Sequence, residues 1–129
     1  MKLNNIFNKI IHIQKDFPNQ PPEKEVGNKE YKWKLIPDSY HNVFKKKNKI
    51  ASQMKYRLYE GNGKAIYLIG VTDSGRSVGL CQNDIYKSIK FINDSAEIIK
   101  TNIDKIRLYK KGSNFIATIR LSNQEISDF

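Results

Sequence analysis

Hydrophobic and polar residues follow two different periods along this chain, which predicts helices and strands in turn. Apolar residues recur every three or four positions between residues 43 and 60, and again between 82 and 101, so two amphipathic helices are expected. Shorter runs predict strands at 29–36, 64–71, 76–80, 103–110 and 114–121. The order β-α-β-β-α-β with one extra C-terminal strand predicts an α+β, ferredoxin-like fold, with both helices on one face of a mainly antiparallel sheet.

The first 28 residues are expected to form an appendage to this domain. Apolar residues at helical spacing between positions 3 and 15 predict a short amphipathic helix. Pro18, Pro21 and Pro22 follow it, and proline both lacks a backbone donor and forces extended geometry on the preceding residue. We therefore predict an N-terminal helix and proline-containing linker over 1–28, an α+β domain over 29–121, and a tail or boundary to a further domain over 122–129.

Two glycine-containing motifs are similar to functional signatures, but both are better interpreted as turns. Residues 70–77, GVTDSGRS, have the glycine spacing of a phosphate-binding loop. That loop needs a lysine and a following helix, whereas Arg76 and a β-like run stand here, so a hairpin is predicted. Residues 111–116, KGSNFI, echo an RNA-stacking strand but keep only Phe115 of its aromatic residues, which favours a plain hairpin.

Positive charge is the strongest compositional signal of a partner. Lys and Arg total 23 against 13 acids, for a net charge of +10, which favours association with a polyanion such as RNA. The chain is also rich in Asn, Ile and Lys, the residues of A/T-rich codons. Codon bias without selection for binding is therefore the alternative interpretation.

The charge concentrates in a run on the first predicted helix, followed by an aromatic residue. Cations beside an exposed aromatic ring suit a phosphate backbone and a stacked base. The predicted nucleic-acid-binding residues are Lys45, Lys46, Lys47, Lys49, Tyr56 and Arg57. The alternative is a solvated basic helix end, with Tyr56 packed on a neighbouring segment.

Two apolar residues of the second predicted helix lie outside its hydrophobic stripe. Phe91 and Ile98 are one helical repeat apart, which predicts a patch that docks the N-terminal helix or a partner domain. Isolated apolar residues are also common on protein surfaces, so this arrangement can equally have no role.

Residues with catalytic chemistry are sparse in this sequence. His12 and His41 stand in different segments, and the one cysteine, Cys81, has no second cysteine for a disulfide or a zinc site. A lone thiol fits a reducing compartment, and neither a signal peptide nor a membrane-length apolar run is evident. We therefore predict a cytoplasmic protein without membrane contact and without catalytic, cofactor-binding or metal-binding residues of its own.

One long stretch carries a family resemblance. Residues 52–63 (SQMKYRLYEGNG), 65–75 (AIYLIGVTDSG) and 78–80, with an upstream block that begins at Pro21, resemble the region just before the GTPase domain of the GTP-binding protein 1/2 family. These are elongation-factor-Tu-like translational GTPases, linked to aminoacyl-tRNA delivery, relief of stalled ribosomes and mRNA turnover. The resemblance implies that GTP and magnesium would be bound by a following GTPase domain, whose motifs are absent here.

The sequence thus supports two functional hypotheses. The first is a non-catalytic domain that contacts the ribosome, tRNA, mRNA or a GTPase domain, in cis or in trans. The second is a stand-alone protein–protein adaptor that docks through Phe91 and Ile98. Both a fragment of a longer GTPase and a small independent protein are compatible with the resemblance.

Overall fold

A mixed five-stranded sheet and two helices make up the fold. The computed structural model describes residues 5–36 and 40–123, except for the side chains of Tyr40 and His41. A 3-10 turn at Ile6–Lys9 is followed by β1 (Ile10–Asp16), β2 (Lys29–Lys32), α1 (Tyr40–Glu60), β3 (Lys64–Ile69), α2 (Gln82–Ile98), β4 (Thr101–Lys111) and β5 (Asn114–Asn123). The predicted tail beyond Asn123 lies outside the described residues.

The strands lie in the order β1-β4-β5-β3-β2. β5 pairs antiparallel with β4 and β3, while the outer strands β1 and β2 pair in parallel with β4 and β3. Both helices pack on one face of this sheet, so the predicted α+β class is confirmed and the arrangement fits the ferredoxin-like kind. The sheet is mixed rather than mainly antiparallel because both outer strands add in parallel.

The helical stripes read from the sequence form the main core. Met54 of α1 and Ile89 and Ile92 of α2 are fully buried against the inner face of the sheet. Ile106 and Ile119, neighbours on β4 and β5, supply that face. Alternate residues on these strands point away from the helices and form a second, outer face of the sheet. One half of this outer face is covered by another segment of the chain, and the other half is not.

The predicted N-terminal helix is wrong, because this segment forms the 3-10 turn and β1. Ile10 pairs with Ile106 and Ile13 with Tyr109, so β1 extends the sheet along the edge of β4. Ile10, Ile11 and Ile13 fit a helical period, but β-branched side chains also favour a strand. The pairing edge of β4, far away in sequence, decides between the two.

The proline-containing segment packs over one half of the outer sheet face. Phe17 forms a second apolar cluster with Leu68 and Ile116, and its ring centroid lies 4.9 Å from that of Tyr109. The Gln20 amide donates to the Gly75 carbonyl at 2.8 Å. This segment therefore covers the half of the face that lies beside the 72–76 turn.

Two predicted strands are shorter in the structure. The segment 76–80 forms only isolated bridges, between Val71 and Ser77 and between Leu80 and Phe115, although the hairpin turn before it is confirmed. β2 ends at Lys32, where the carbonyl accepts from the Gly70 amide at 2.8 Å. Beyond it the chain bends, and Trp33 is exposed.

Candidate nucleic-acid interface

The lysine run lies in the N-terminal half of α1, and its members differ in exposure. Lys45 and Lys49 are exposed, whereas Lys46 and Lys47 are half-buried. The Lys47 ammonium lies 2.9 Å from the Asp94 carboxylate of α2, which neutralises much of its charge. The first turn of α1 contains no acidic residue, so no carboxylate there offsets the charge of the lysines. Lys45 and Lys49 are the members best placed to meet an external anion.

Tyr56 combines an accessible ring with an anchored hydroxyl. Its side chain is 44% exposed, but the hydroxyl donates to the Glu25 carbonyl at 3.1 Å. This contact corresponds to the alternative interpretation, in which Tyr56 packs on a neighbouring segment. The ring face is accessible to a base, but this hydrogen bond fixes the orientation of the ring.

Arg57 is buried, which contradicts its predicted role as a nucleic-acid-binding residue. The residue is 4% exposed, and its Nε lies 2.8 Å from Glu30 Oε1. Its Nη1 donates to the Gly27 carbonyl at 2.8 Å and its Nη2 to the Lys24 carbonyl at 2.9 Å. Arg57 therefore fastens α1 to the segment 24–30, because a planar guanidinium can satisfy several oxygens at once.

Phe91 is also buried, so the predicted patch of Phe91 and Ile98 does not form. Phe91 is 2% exposed and belongs to the core, with the Lys47 ammonium 5.9 Å from its ring centroid. The packing of α1 alongside α2 covers a wider stripe of α2 than its sequence period indicates. Ile98, at 42% exposure, is left as a single apolar residue at the end of the helix.

Glu23 lies beside Arg57 and Glu30, which together we call the Arg57 cluster, and its carboxyl should make the stability of the protein depend on pH. Burial raises the pKa of this carboxyl, the Tyr31 amide that it accepts from opposes this, and the nearby Glu30 carboxylate raises the pKa further. The folded state then binds the Glu23 proton more tightly than the unfolded state does. This contribution to the free energy of unfolding is present at low pH and is lost as pH rises through the folded-state pKa.

Glu23→Gln should remove this contribution. We expect the variant's stability relative to wild type to increase as pH rises from the ordinary carboxyl range near 4.5 towards neutrality. Urea unfolding of both proteins across that range measures the difference. Two stability curves that run parallel would contradict the prediction.

A second concentration of cations, which was not predicted from the sequence, lies on the outer sheet face. Lys105 and Arg107 alternate with Ile106 and Leu108 on β4, and Arg120 pairs opposite Lys105 from β5. The signal available was this alternation of cationic and apolar residues at period two. These cations do not form a continuous run in the sequence, because the pairing of β4 with β5 brings together residues that are far apart along the chain.

Other kinds of site have little support within residues 5–36 and 40–123. No group of three or more His, Cys, Asp or Glu side chains there could hold a metal ion. No helix in the same ranges is long and apolar enough to cross a membrane. Cys81 is exposed and stands at the N-cap of α2 without a capping hydrogen bond from its side chain.

The chain is similar to GTP-binding protein 2 from Mus musculus and from Homo sapiens, at 41% identity over 90 residues in each case. The matched stretch is 70% of this chain but only 14% of each relative. The resemblance to the GTP-binding protein 1/2 family is thereby confirmed, and a match of this extent is consistent with an accessory domain of that family. No family model matches the chain, and neither does any solved structure.

Proposed function

We propose that this chain is a non-catalytic domain that contacts RNA or the ribosome as part of a translational GTPase system. The observation that carries the proposal is the 90-residue similarity to GTP-binding protein 2. Such a domain would position a GTPase domain, in cis or in trans, on its RNA-containing partner. GTP and magnesium would then be bound by the GTPase domain and not by this one.

The charge distribution supports an RNA-containing partner. The net charge of +10 attracts polyanions by steering and by release of their counterions. Lys45 and Lys49 are exposed one helical turn apart in the N-terminal half of α1. Two ammonium groups at this spacing can contact neighbouring phosphates of one strand. We therefore assign this part of α1, defined by Lys45 and Lys49, as the helix surface for RNA.

Lys45→Ala combined with Lys49→Ala should weaken ribosome association. Loss of two phosphate contacts is expected to reduce the slope of log affinity against log salt by about 1.4–1.8. Alanine maintains helix propensity, so the substitution changes charge with little effect on the fold. Co-sedimentation of the chain with ribosomes over a series of salt concentrations measures both the affinity and the slope.

The matched control removes two exposed cations from other surfaces. Arg76→Ala with Lys110→Ala gives the same net charge, but these residues lie on the 72–76 turn and on β4. If both double variants lose affinity equally, net charge and not the helix surface drives binding. If the wild-type chain fails to sediment with ribosomes even at low salt, the proposed function is wrong.

A further inference from the structure

We propose that the uncovered half of the outer sheet face is a second RNA-binding surface, which takes the phosphate backbone of a strand lying across β4, β5, β3 and β2. This inference rests on the proposed function and adds a surface on the side opposite to the helices. The surface is defined by five cations: Lys29, Lys64, Lys105, Arg107 and Arg120. We call it the sheet surface.

The strand register places these cations in neighbouring rows. Lys105 pairs with Arg120, Arg120 with Ile66, and Ile66 with Lys29, so one row crosses four strands. At the usual strand separation this row spans about 14 Å. Arg107 lies in the next row on one side, opposite Thr118, and Lys64 lies in the next row on the other side, opposite Ser122.

The cations of the sheet surface lack acidic partners among the described residues. No ion pair or side-chain hydrogen bond joins Lys105, Arg107 or Arg120 to another group within 5–36 and 40–123. The exposed Asp104, at the irregularity in β4, lines the same depression as Lys64 and Ser122, so one carboxylate lies at the margin of this surface, although no ion pair joins it to the cations. Lys105 and Arg120 are directly opposite each other on β4 and β5. Like charges in such a pair repel each other and destabilise a sheet. A bound anion would relieve that repulsion.

The shape of the surface fits phosphates better than base edges. The residues between the cations, Ile66, Thr118 and Ser122, are half-buried, so no large side chain protrudes between the cations and the face presents no helix to a groove. Its aromatic residues are already occupied: Tyr31 is buried, and Tyr109 packs on the Phe17 ring. Binding would therefore depend on charge and salt, with little dependence on base sequence.

A triple variant tests the sheet surface. Lys105→Thr, Arg107→Thr and Arg120→Thr together maintain strand propensity and remove three cations. With a fluorescent 20-nucleotide uridine RNA as the probe, we expect affinity to fall at least tenfold at low salt. The slope of log affinity against log salt should become shallower by about 2. Parallel titration with a 20-base-pair RNA duplex establishes which backbone form the surface prefers.

Two further variants separate position from charge. Arg76→Thr, Lys100→Asn and Lys110→Thr remove the same charge from exposed positions elsewhere, and Asn tolerates the positive φ of 55° at Lys100. This control should bind nearly as wild type does. The charge-preserving triple Lys105→Arg, Arg107→Lys and Arg120→Lys should also remain within about twofold, because sequence-independent affinity for a backbone depends mainly on the number of phosphates neutralised. Thermal unfolding checks that each variant is folded.

The outcomes distinguish this inference from the proposed function. If only the Lys45/Lys49 variant loses affinity for RNA, the assignment of the sheet surface is wrong and the proposed function stands. The same conclusion follows if wild type sediments with ribosomes but does not bind either RNA probe. If the sheet variant instead changes the oligomeric state in light scattering, a second copy of the chain covers this face, and the inference is overturned.

Discussion

Replacing Arg57 by methionine is expected to lower the free energy of unfolding by about 3–5 kcal/mol. The side chain is nearly fully buried, and its loss leaves the Glu30 carboxylate, 7% exposed, without its closest cation. The carbonyls of Lys24 and Gly27 lose their donors in the same step. Urea unfolding followed by circular dichroism measures the change.

Lys55→Met is the matched control for this variant. Lys55 lies two residues earlier on α1 and is exposed, so its replacement should change stability by no more than about 0.5 kcal/mol. Adding Glu30→Met to Arg57→Met should restore part of the loss, because an apolar pair avoids an uncompensated buried charge. Equal stability of Arg57→Met and Lys55→Met would show that the cluster does not hold α1 in place.

Replacing Gly75 by alanine is expected to cost about 2–5 kcal/mol, from backbone strain together with a steric clash. Gly75 has a φ of +93°, a backbone conformation that residues with a side chain rarely adopt. An added Cβ would lie 2.6 Å from the Pro21 carbonyl oxygen. The Gln20 carbonyl oxygen is closer still. The clash should push residues 18–23 away from the 72–76 turn. Faster hydrogen exchange at the Gln20 and Glu23 amides, which donate to Gly75 and Asp73, would report this movement.

Gly27 offers a control with the same backbone geometry. Its φ is +94°, but an added Cβ would meet nothing within 4 Å. Gly27→Ala should therefore cost only the conformational part, about 1–2 kcal/mol. The difference between the two alanine variants isolates the contact between the turn and the proline-containing segment. If the two variants are equally stable, that contact is not tight.

Local periodicity was sufficient to predict the helices but not the outer strands. Met54 and Ile89 belong to stripes that repeat over several turns, and few other structures fit such a pattern. The isoleucines of β1 fit two periods, and the choice depends on the edge of β4, which no local pattern reveals. The end of β2 at Lys32 depends in the same way on a hydrogen bond from Gly70.

The candidate site was harder to predict, because charge in a sequence does not reveal burial. Arg57 and Lys49 are both cations on α1, yet Glu30 and three backbone carbonyls surround Arg57 only once the chain has folded. Phe91 lies off the stripe of α2 but beneath the α1 contact. Lys105 and Arg120 become neighbours only through the register of β4 and β5, which hairpin prediction alone does not provide.

The position of β5 in the sheet has a consequence for how the chain folds as it is synthesised. β5 follows the other four strands in sequence but lies between β4 and β3, so it joins two otherwise separate parallel pairs. Until it emerges, β1 and β4 cannot be connected to β2 and β3 through the sheet. β1 can pair only after β4 has been synthesised, because Ile10 pairs with Ile106. Folding should therefore be late and cooperative, with the slow kinetics of pairings between distant residues.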